Sequence, residues 1–349
     1  MASQPLPLDD LAHILAHTQA IFPALQDQRV FLTGGTGFFG HWLLESLLHA
    51  NRELSLNACA TVLTRNAEAF RTRAPHIAND PAITLLEGDV RTFAYPTEHH
   101  RFVIHAATDS GGQQAQRPAY ELAESILEGT RHTLKFALQT KATRLLFTST
   151  GAVYGRNITG LTHISEEYPG APDPLALVSS YDEAKRMSEH LCVAYSDQTH
   201  LQCSIARCFA FVGPHLPLDA HFAIGNFIRD AIAGTPIHIK GDGTPLRSYL
   251  YMADLAIWLW TMLFTAPANR AFNVGSEEQH SIGSLAHLTA HTLRPGLRVQ
   301  IDGTPKAGAP VSTYVPGTQR AKQELGLTQH ISTEQALLRT AAWHGFTPA

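Results

Sequence analysis

Cysteine and charge are scarce in this chain, and long apolar runs are absent. Its 349 residues hold four cysteines (Cys59, Cys192, Cys203 and Cys208), none paired as C-x-x-C. That excludes a disulfide framework and predicts free thiols in a reducing, cytoplasmic setting. No stretch reaches the roughly 18 apolar residues of a membrane-spanning helix. Lys and Arg total 26 against 30 Asp and Glu, a net charge of −4 with no basic block. Nucleic acid and anionic membrane are therefore excluded as main partners. The start, MASQPLPLDDLAHILAH, carries acids where a secretory signal carries a basic segment. No internal repeat or low-complexity linker is present.

With 44% hydrophobic and 16% charged residues, the composition is that of a globular chain with a large core in one large or two modest domains. Twenty histidines raise the question of a metal. His13/His17 and His287/His291 have the i, i+4 spacing that puts two rings on one helix face. Neither pair has an adjacent Glu or Cys in a recognised arrangement, and zinc needs three or four converging ligands. Solvated helix faces and no metal site are expected.

The pattern predicts a helix over 9–24, a strand over 29–33, a helix over 38–50 and strands over 58–64, 83–87 and 102–107. A helix over 118–139, a strand over 144–149, a helix over 180–197 and a strand over 201–211 follow. The strands are near-continuous apolar runs, as in a parallel sheet covered on both faces. Beyond about 215 the predicted elements are mixed: helices at 221–233, 253–265, 281–292 and 331–343, and strands near 237–240, 248–251 and 271–274. The expected fold class is α/β: a Rossmann-type doubly wound parallel sheet with a smaller mixed α/β substrate-binding lobe on the C-terminal side. The expected division is a helical extension over 1–27, a dinucleotide-binding domain over 28–214 that also receives segments near 245–270, and a lobe mainly over 215–349.

Strand 29–33 runs directly into Gly34-Gly35-Thr36-Gly37-Phe38-Phe39-Gly40 and an apolar helix. Strand, glycines and helix in this order fit a dinucleotide site. One glycine permits the turn, one admits a pyrophosphate to the backbone, and one lets helix pack on strand. The helix N-terminus then offers N–H groups and a partial positive charge to the phosphates. The second strand ends Val62-Leu63-Thr64-Arg65, without the acid that holds the ribose 2′-hydroxyl of NAD. Arg65 favours NADP over NAD, because a guanidinium can pair with a 2′-phosphate. Asp89, followed by Val90, stands where it could accept from an adenine amino group. Ala106 and Ala107 leave room for the cofactor backbone.

Tyr181 and Lys185 are four apart on a predicted helix and share a face. A tyrosine is a poor base at neutral pH, and an adjacent ammonium lowers its pKa. Thr150, at the tip of strand 144–149, supplies a hydroxyl able to bond the oxygen that gains or loses a proton.

Gly34/Gly37/Gly40, Gly88-Asp89, His105-Ala106-Ala107, Thr150-Gly-Ala-Val-Tyr-Gly155 and Tyr181-x-x-x-Lys185 together resemble the extended short-chain dehydrogenase/reductases, the nucleotide-sugar epimerases, dehydratases and reductases. The likeness continues through Arg207-Cys-Phe-Ala-Phe-Val-Gly-Pro214, Asn226-Phe-Ile228, Gly241-Asp-Gly243, Arg247-Ser-Tyr-Leu-Tyr-Met-Ala-Asp254 and Asn273-Val-Gly-Ser276, covering about residues 28–328. The resemblance implies a catalytic triad of Thr150, Tyr181 and Lys185. It implies that Arg247, with Asn226 and Phe227, contacts the diphosphate of a nucleoside-diphosphate sugar. It also implies a homodimer built on helices 118–139 and 180–197.

In the 4,6-dehydratases of that family the two residues after the catalytic Thr are Asp-Glu. The UDP-glucuronate decarboxylases keep a Glu at the second. Here they are Gly151 and Ala152, and neither can move a proton. The resemblance therefore implies a 4-epimerase or an NADPH-dependent 4-keto reductase. Three departures accompany it. Ile126 and Ala210 replace family asparagines, and Asp109 stands where sugar hydroxyls are often bound. Asp109 could restore a dehydratase-like reaction, although a loop Asp more often caps backbone N–H groups. A non-catalytic, cofactor-binding scaffold is disfavoured by the presence of both Tyr181 and Lys185.

Overall fold

The computed structural model describes residues 3–108, 118–156, 158–220, 222–306 and 308–347. In chain order the elements are α1 (Leu8–Thr18), β1 (Arg29–Thr33), α2 (Phe38–Leu54), β2 (Cys59–Thr64), α3 (Ala67–Arg73), α4 (Pro75–Ala78), β3 (Ile83–Glu87), β4 (Phe102–His105), α5 (Ala119–Gln139), β5 (Arg144–Thr150), α6 (Ser180–Gln198), β6 (Gln202–Cys208) and β7 (Phe211–Val212). They continue with α7 (Ala223–Ala233), β8 (Ile237–Ile239), β9 (Leu246–Arg247), β10 (Leu250–Tyr251), α8 (Met252–Thr265), β11 (Arg270–Val274), β12 (His280–Ser281), α9 (Ile282–Leu293), β13 (Val299–Ile301), β14 (Thr313–Tyr314), α10 (Gln319–Leu325) and α11 (Thr333–Trp343).

Seven strands form one sheet in the order β11-β6-β5-β4-β1-β2-β3, and every pairing in it is parallel. The chain winds outward from β1 to β3, then returns to lay β4 on the other side of β1. This reversal opens a crevice at the carboxyl ends of β1 and β4, the place where such sheets bind ligands. Apolar side chains cover both faces. Phe31, Phe93, Val103, Leu134, Phe136 and Phe147 belong to one buried cluster. The larger cluster contains Leu32, Trp42, Leu146, Trp258 and Trp260. Helix α8 is buried over nearly its whole length, and the indole N–H of Trp260 donates to Ser46 of α2 at 2.9 Å.

The predicted helix over 9–24 is shorter than expected. It ends at Thr18, and a separate 3-10 turn spans Phe22–Leu25, because Pro23 has no N–H to continue the α-helical ladder. This N-terminal segment packs into the main core through Leu11, Ile14 and Phe22. Asp10 is buried and accepts from Tyr251 and Arg339. The predicted strand 201–211 divides into β6 and β7. Unanticipated are α3, capped by the Asn66 side chain accepting from the Ala69 N–H at 2.8 Å, and the short strands β12–β14. Two-residue strands leave almost no periodic signal. The C-terminal segments form a three-stranded group β12-β9-β14 and a pair β13-β8. No helix among the described residues is long and apolar enough to cross a membrane.

Candidate active site

The glycine loop closes against the end of β4. Gly34 has φ +74°, and a Cβ there would lie 2.4 Å from the Ala106 carbonyl oxygen and 2.7 Å from the Ala107 nitrogen. At Gly40 a Cβ would meet the Gly35 carbonyl oxygen at 2.1 Å. Gly37 differs: its nearest neighbour would be the Gly34 oxygen at 3.4 Å, so its other side is open. Helix α2 begins immediately after Gly37, with no side chain capping its first N–H groups. An open glycine before an uncapped helix N-terminus fits a phosphate. Phe38 and Phe39 pack their rings toward the core, so backbone N–H is what they offer an anion. The Thr36 carbonyl accepts from Arg73 at 2.6 Å.

Ala106 and Ala107 are held in place by Thr33, whose carbonyl accepts from the Ala106 N–H at 3.2 Å and whose hydroxyl accepts from the Ala107 N–H at 3.0 Å. The same hydroxyl meets Nδ1 of His105 at 2.7 Å, and Nε2 of His105 meets the Thr130 hydroxyl at 3.1 Å. Burial, reinforced by the charge of Lys185, pushes His105 down to about 3. It is a neutral strut between the loop and α5. Asp89 accepts from Nε and an NH2 group of Arg91 at 2.8 and 2.9 Å. Those bonds hold its carboxyl below the usual range, and the nearby charge of Arg65 acts in the same direction. Arg65 follows β2 directly and so stands at the strand end the sequence placed it on. The Val90 side chain packs against Gly129 of α5.

Thr150 ends β5, and Tyr181 and Lys185 occupy the first two turns of α6. The structure brings Thr150 and Tyr181 together: the hydroxyls of Thr108 and Thr150 stand close enough to the phenol to lower its pKa. Burial pushes the Tyr181 pKa well above the ordinary value, and these two hydroxyls pull it back only in part. Lys185 departs from expectation. Its ammonium donates to the Thr148 carbonyl at 2.8 Å and lies 4.7 Å over the Phe147 ring. Burial lowers it to about 8. The ammonium is thus anchored on a backbone carbonyl under the strand tip, and the net shift of the phenol is upward.

The sequence did not reveal Tyr314. Its hydroxyl lies 3.5 Å from Oγ1 of Thr150, and burial pushes it up to about 12. It arrives on two-residue β14, paired in register with Arg247 of β9, and the Arg247 guanidinium lies 5.9 Å over its ring. Arg247 thus belongs at the edge of the Thr150–Tyr181–Tyr314 group.

Other expectations fare differently. Phe227 is buried in the main core, its ring packing α7. Asn226 accepts from Arg229 on the same helix at 3.2 Å. Asp109 lies outside the described residues. Ile126 forms an apolar cluster with Leu122 and Ala184 against which Tyr181 packs, so the family asparagine has been exchanged for packing. His13 and His17 face one another at 4.5 Å and both pack with His330; His17 is exposed and His13 half-buried. His287 and His291 are exposed.

After Thr150, the room for chemistry is closed at one position. A Cβ on Gly151 would meet three ring carbons of Phe209 at 2.7–2.8 Å. Beneath the strand tip, Glu189 accepts from Ser149 at 2.5 Å and from Arg207 at 2.7 Å. Arg207 also donates to Tyr154, which donates to Asn273. This buried network joins β5, α6, β6 and β11.

A sequence profile of the NAD dependent epimerase/dehydratase family matches residues 30–275. The chain belongs to that family. UDP-glucuronic acid decarboxylase 1 of Xenopus tropicalis is 27% identical over 313 residues, which is 90% of this chain and 71% of the relative. Among solved structures, UDP-glucose 4-epimerase of Thermotoga maritima superposes with a TM-score of 0.73 at 19% identity, covering 91% of this chain and 99% of the other. The dTDP-glucose 4,6-dehydratase of Streptomyces venezuelae, solved with NAD bound, gives 0.74 at 23% identity, covering 91% and 97%. These family members share the fold seen here, and they carry three different activities in their names.

Proposed function

We propose that the chain is a nucleoside-diphosphate-sugar 4-epimerase working through a 4-keto sugar. The observation that carries this reading is the Gly151–Ala152 pair beside Thr150. Neither residue has a proton-handling group, and Phe209 fills the space a side chain at 151 would need. Removing water across neighbouring carbons needs an acid and a base placed at them. Oxidising and re-reducing one alcohol carbon needs a single group to take and return a proton.

A nicotinamide dinucleotide on the glycine loop supplies a reversible hydride acceptor. In its phenolate form Tyr181 takes the proton of the C4 oxygen and returns it after the sugar has turned. Thr150 bonds the same oxygen and orients it. Lys185, one turn below, holds positive charge under the site. Arg247 contacts the diphosphate, its planar fork matching phosphate oxygens. The family resemblance implies a Glu in UDP-glucuronate decarboxylases where Ala152 stands here, which favours epimerisation over decarboxylation. Helices α5 and α6 pack side by side and leave Tyr120 and Met187 exposed, which supports the expected homodimer.

A second reading, an NADPH-dependent 4-keto reductase, is favoured by two observations. The Tyr181 phenol is held protonated by burial, as suits donation to a ketone. Arg65 stands at the end of β2, where it suits a 2′-phosphate.

Incubation of the purified protein with UDP-, dTDP-, GDP- and CDP-hexoses, without added cofactor and read by NMR, distinguishes these outcomes. The epimerase reading expects the C4 epimer of one of them. NADPH consumption with a 4-keto sugar instead moves the assignment to the reductase. Release of carbon dioxide from a nucleotide uronic acid, or a 4-keto-6-deoxy product, overturns both.

A further inference from the structure

The histidine pairs visible in the sequence suggested no metal, but the fold gathers a different set. His41 and Glu45 are one turn apart on α2, His76 comes from α4, and His215 follows β7. Nδ1 of His41, Oε1 of Glu45 and Nε2 of His215 lie within 4.8 Å of one another. Oε1 is 3.9 Å from each of those ring nitrogens and 3.2 Å from Nε2 of His76. All four atoms are buried and none has a hydrogen-bond partner. Seven side-chain atoms among the described residues are orphaned in this way, and the other three are single hydroxyls elsewhere. Buried polar groups are ordinarily paired, so four converging orphans call for a missing partner.

The surroundings fix the four side chains. The second Glu45 oxygen accepts from the Leu6 N–H at 2.8 Å. The His41 and His215 rings stack at 4.1 Å, with Phe70 against the first and Trp343 against the second. His215 has φ +70°, a left-handed conformation uncommon outside glycine. The Trp42 N–H holds the preceding Pro214 carbonyl at 3.1 Å, tying that turn to α2.

We propose that His41, Glu45, His76 and His215 form a closed structural site for one divalent transition-metal ion of the zinc type. Three imidazole nitrogens and one carboxylate oxygen suit zinc. Calcium and magnesium take oxygen ligands. Oε1 of Glu45 lies 3.2–3.9 Å from the three ring nitrogens, near the ~3.3 Å edge of a tetrahedron built on 2.0–2.1 Å bonds. His41, Glu45 and His215 already converge within 4.8 Å, and His76, beside Glu45, must swing inward to become the fourth ligand. Four protein ligands leave no open position, so the ion is structural. It clamps the helix that opens at the glycine loop to the segment leading from β7 into the C-terminal lobe. The proposal rests on none of the Tyr181 chemistry.

The full-length protein is assayed for metal by mass spectrometry after gel filtration, and for Tm with and without a chelator. It is then reconstituted with Co²⁺. The expected results are one equivalent of zinc per chain, a Tm that falls on chelation, and the visible bands of tetrahedral cobalt. His215→Ala is expected to lose both the bands and the zinc-dependent Tm shift. His76→Ala, at the rim with its side chain 24% exposed, keeps the fold and is expected to bind zinc substoichiometrically. A folded wild-type chain that retains no zinc and gives no cobalt bands overturns the proposal. So does wild-type metal content in both variants.

Discussion

The ring of Phe209 occupies the space beside Gly151, so that a Cβ at 151 would sit 2.7 Å from its Cζ. The residue after the candidate catalytic threonine is thereby kept free of a side chain by packing. Gly151→Asp is expected to destabilise the protein by roughly 1–3 kcal/mol, the usual cost of overpacking, measured by urea unfolding. Combined with Phe209→Ala, the loss is expected to be smaller than the sum of the two single losses, because the two positions share one space.

Tyr181→Phe removes one hydroxyl from beside those of Thr108 and Thr150. The expected outcome is a fall in kcat of about 10²–10⁴-fold, the range for loss of a proton-transfer group, with nucleotide-sugar binding and Tm nearly unchanged. Retention of full turnover by this variant removes Tyr181 from the mechanism.

His105 sets an acid limit. Its ordinary pKa of 6.5 is pushed down to about 3 in the folded chain, by burial first. Above pH 6.5 both folded and unfolded chains hold it neutral. Between 6.5 and 3 only the unfolded chain takes up the proton, so its contribution to stability falls as pH falls through that window. A His105→Gln variant is expected to show a shallower loss of unfolding free energy over that range, measured by denaturant titration at several pH values.

Glu189 and Arg207 are a mostly buried pair, with side chains 8% and 19% exposed. Glu189→Ala leaves the guanidinium and the Ser149 hydroxyl without their carboxylate and is expected to cost about 3–5 kcal/mol. Glu189→Leu with Arg207→Met is expected to cost less than Glu189→Ala alone, because it leaves no unpaired charge. Urea unfolding of both variants checks the order.

The main sheet was legible in advance because its strands are local apolar runs separated by helix-period segments. β1, β4 and β5 lie within a few residues of their expected bounds. The glycine loop was legible for the same reason, since turn, close approach and helix start are adjacent in the chain. Elements of two or three residues, such as β9 and β14, were poorly legible, because they exist only through the partners they pair with.

The amino-acid order alone determined the parallel α/β architecture, the glycine loop between β1 and α2, the alignment of Tyr181 with Lys185 on one helix face, and the want of an acid or base at 151 and 152. Each is a property of neighbours along the chain, governed by periodicity and backbone freedom. Tertiary structure decided the rest: Tyr314 beside Thr150, Phe209 over Gly151, the turn of Lys185 toward the Thr148 carbonyl, and the meeting of His41 and Glu45 with His76 and His215. These contacts span from about thirty to more than a hundred and sixty positions of sequence. No local rule brings such residues together, because only the packing of the whole core sets their distances.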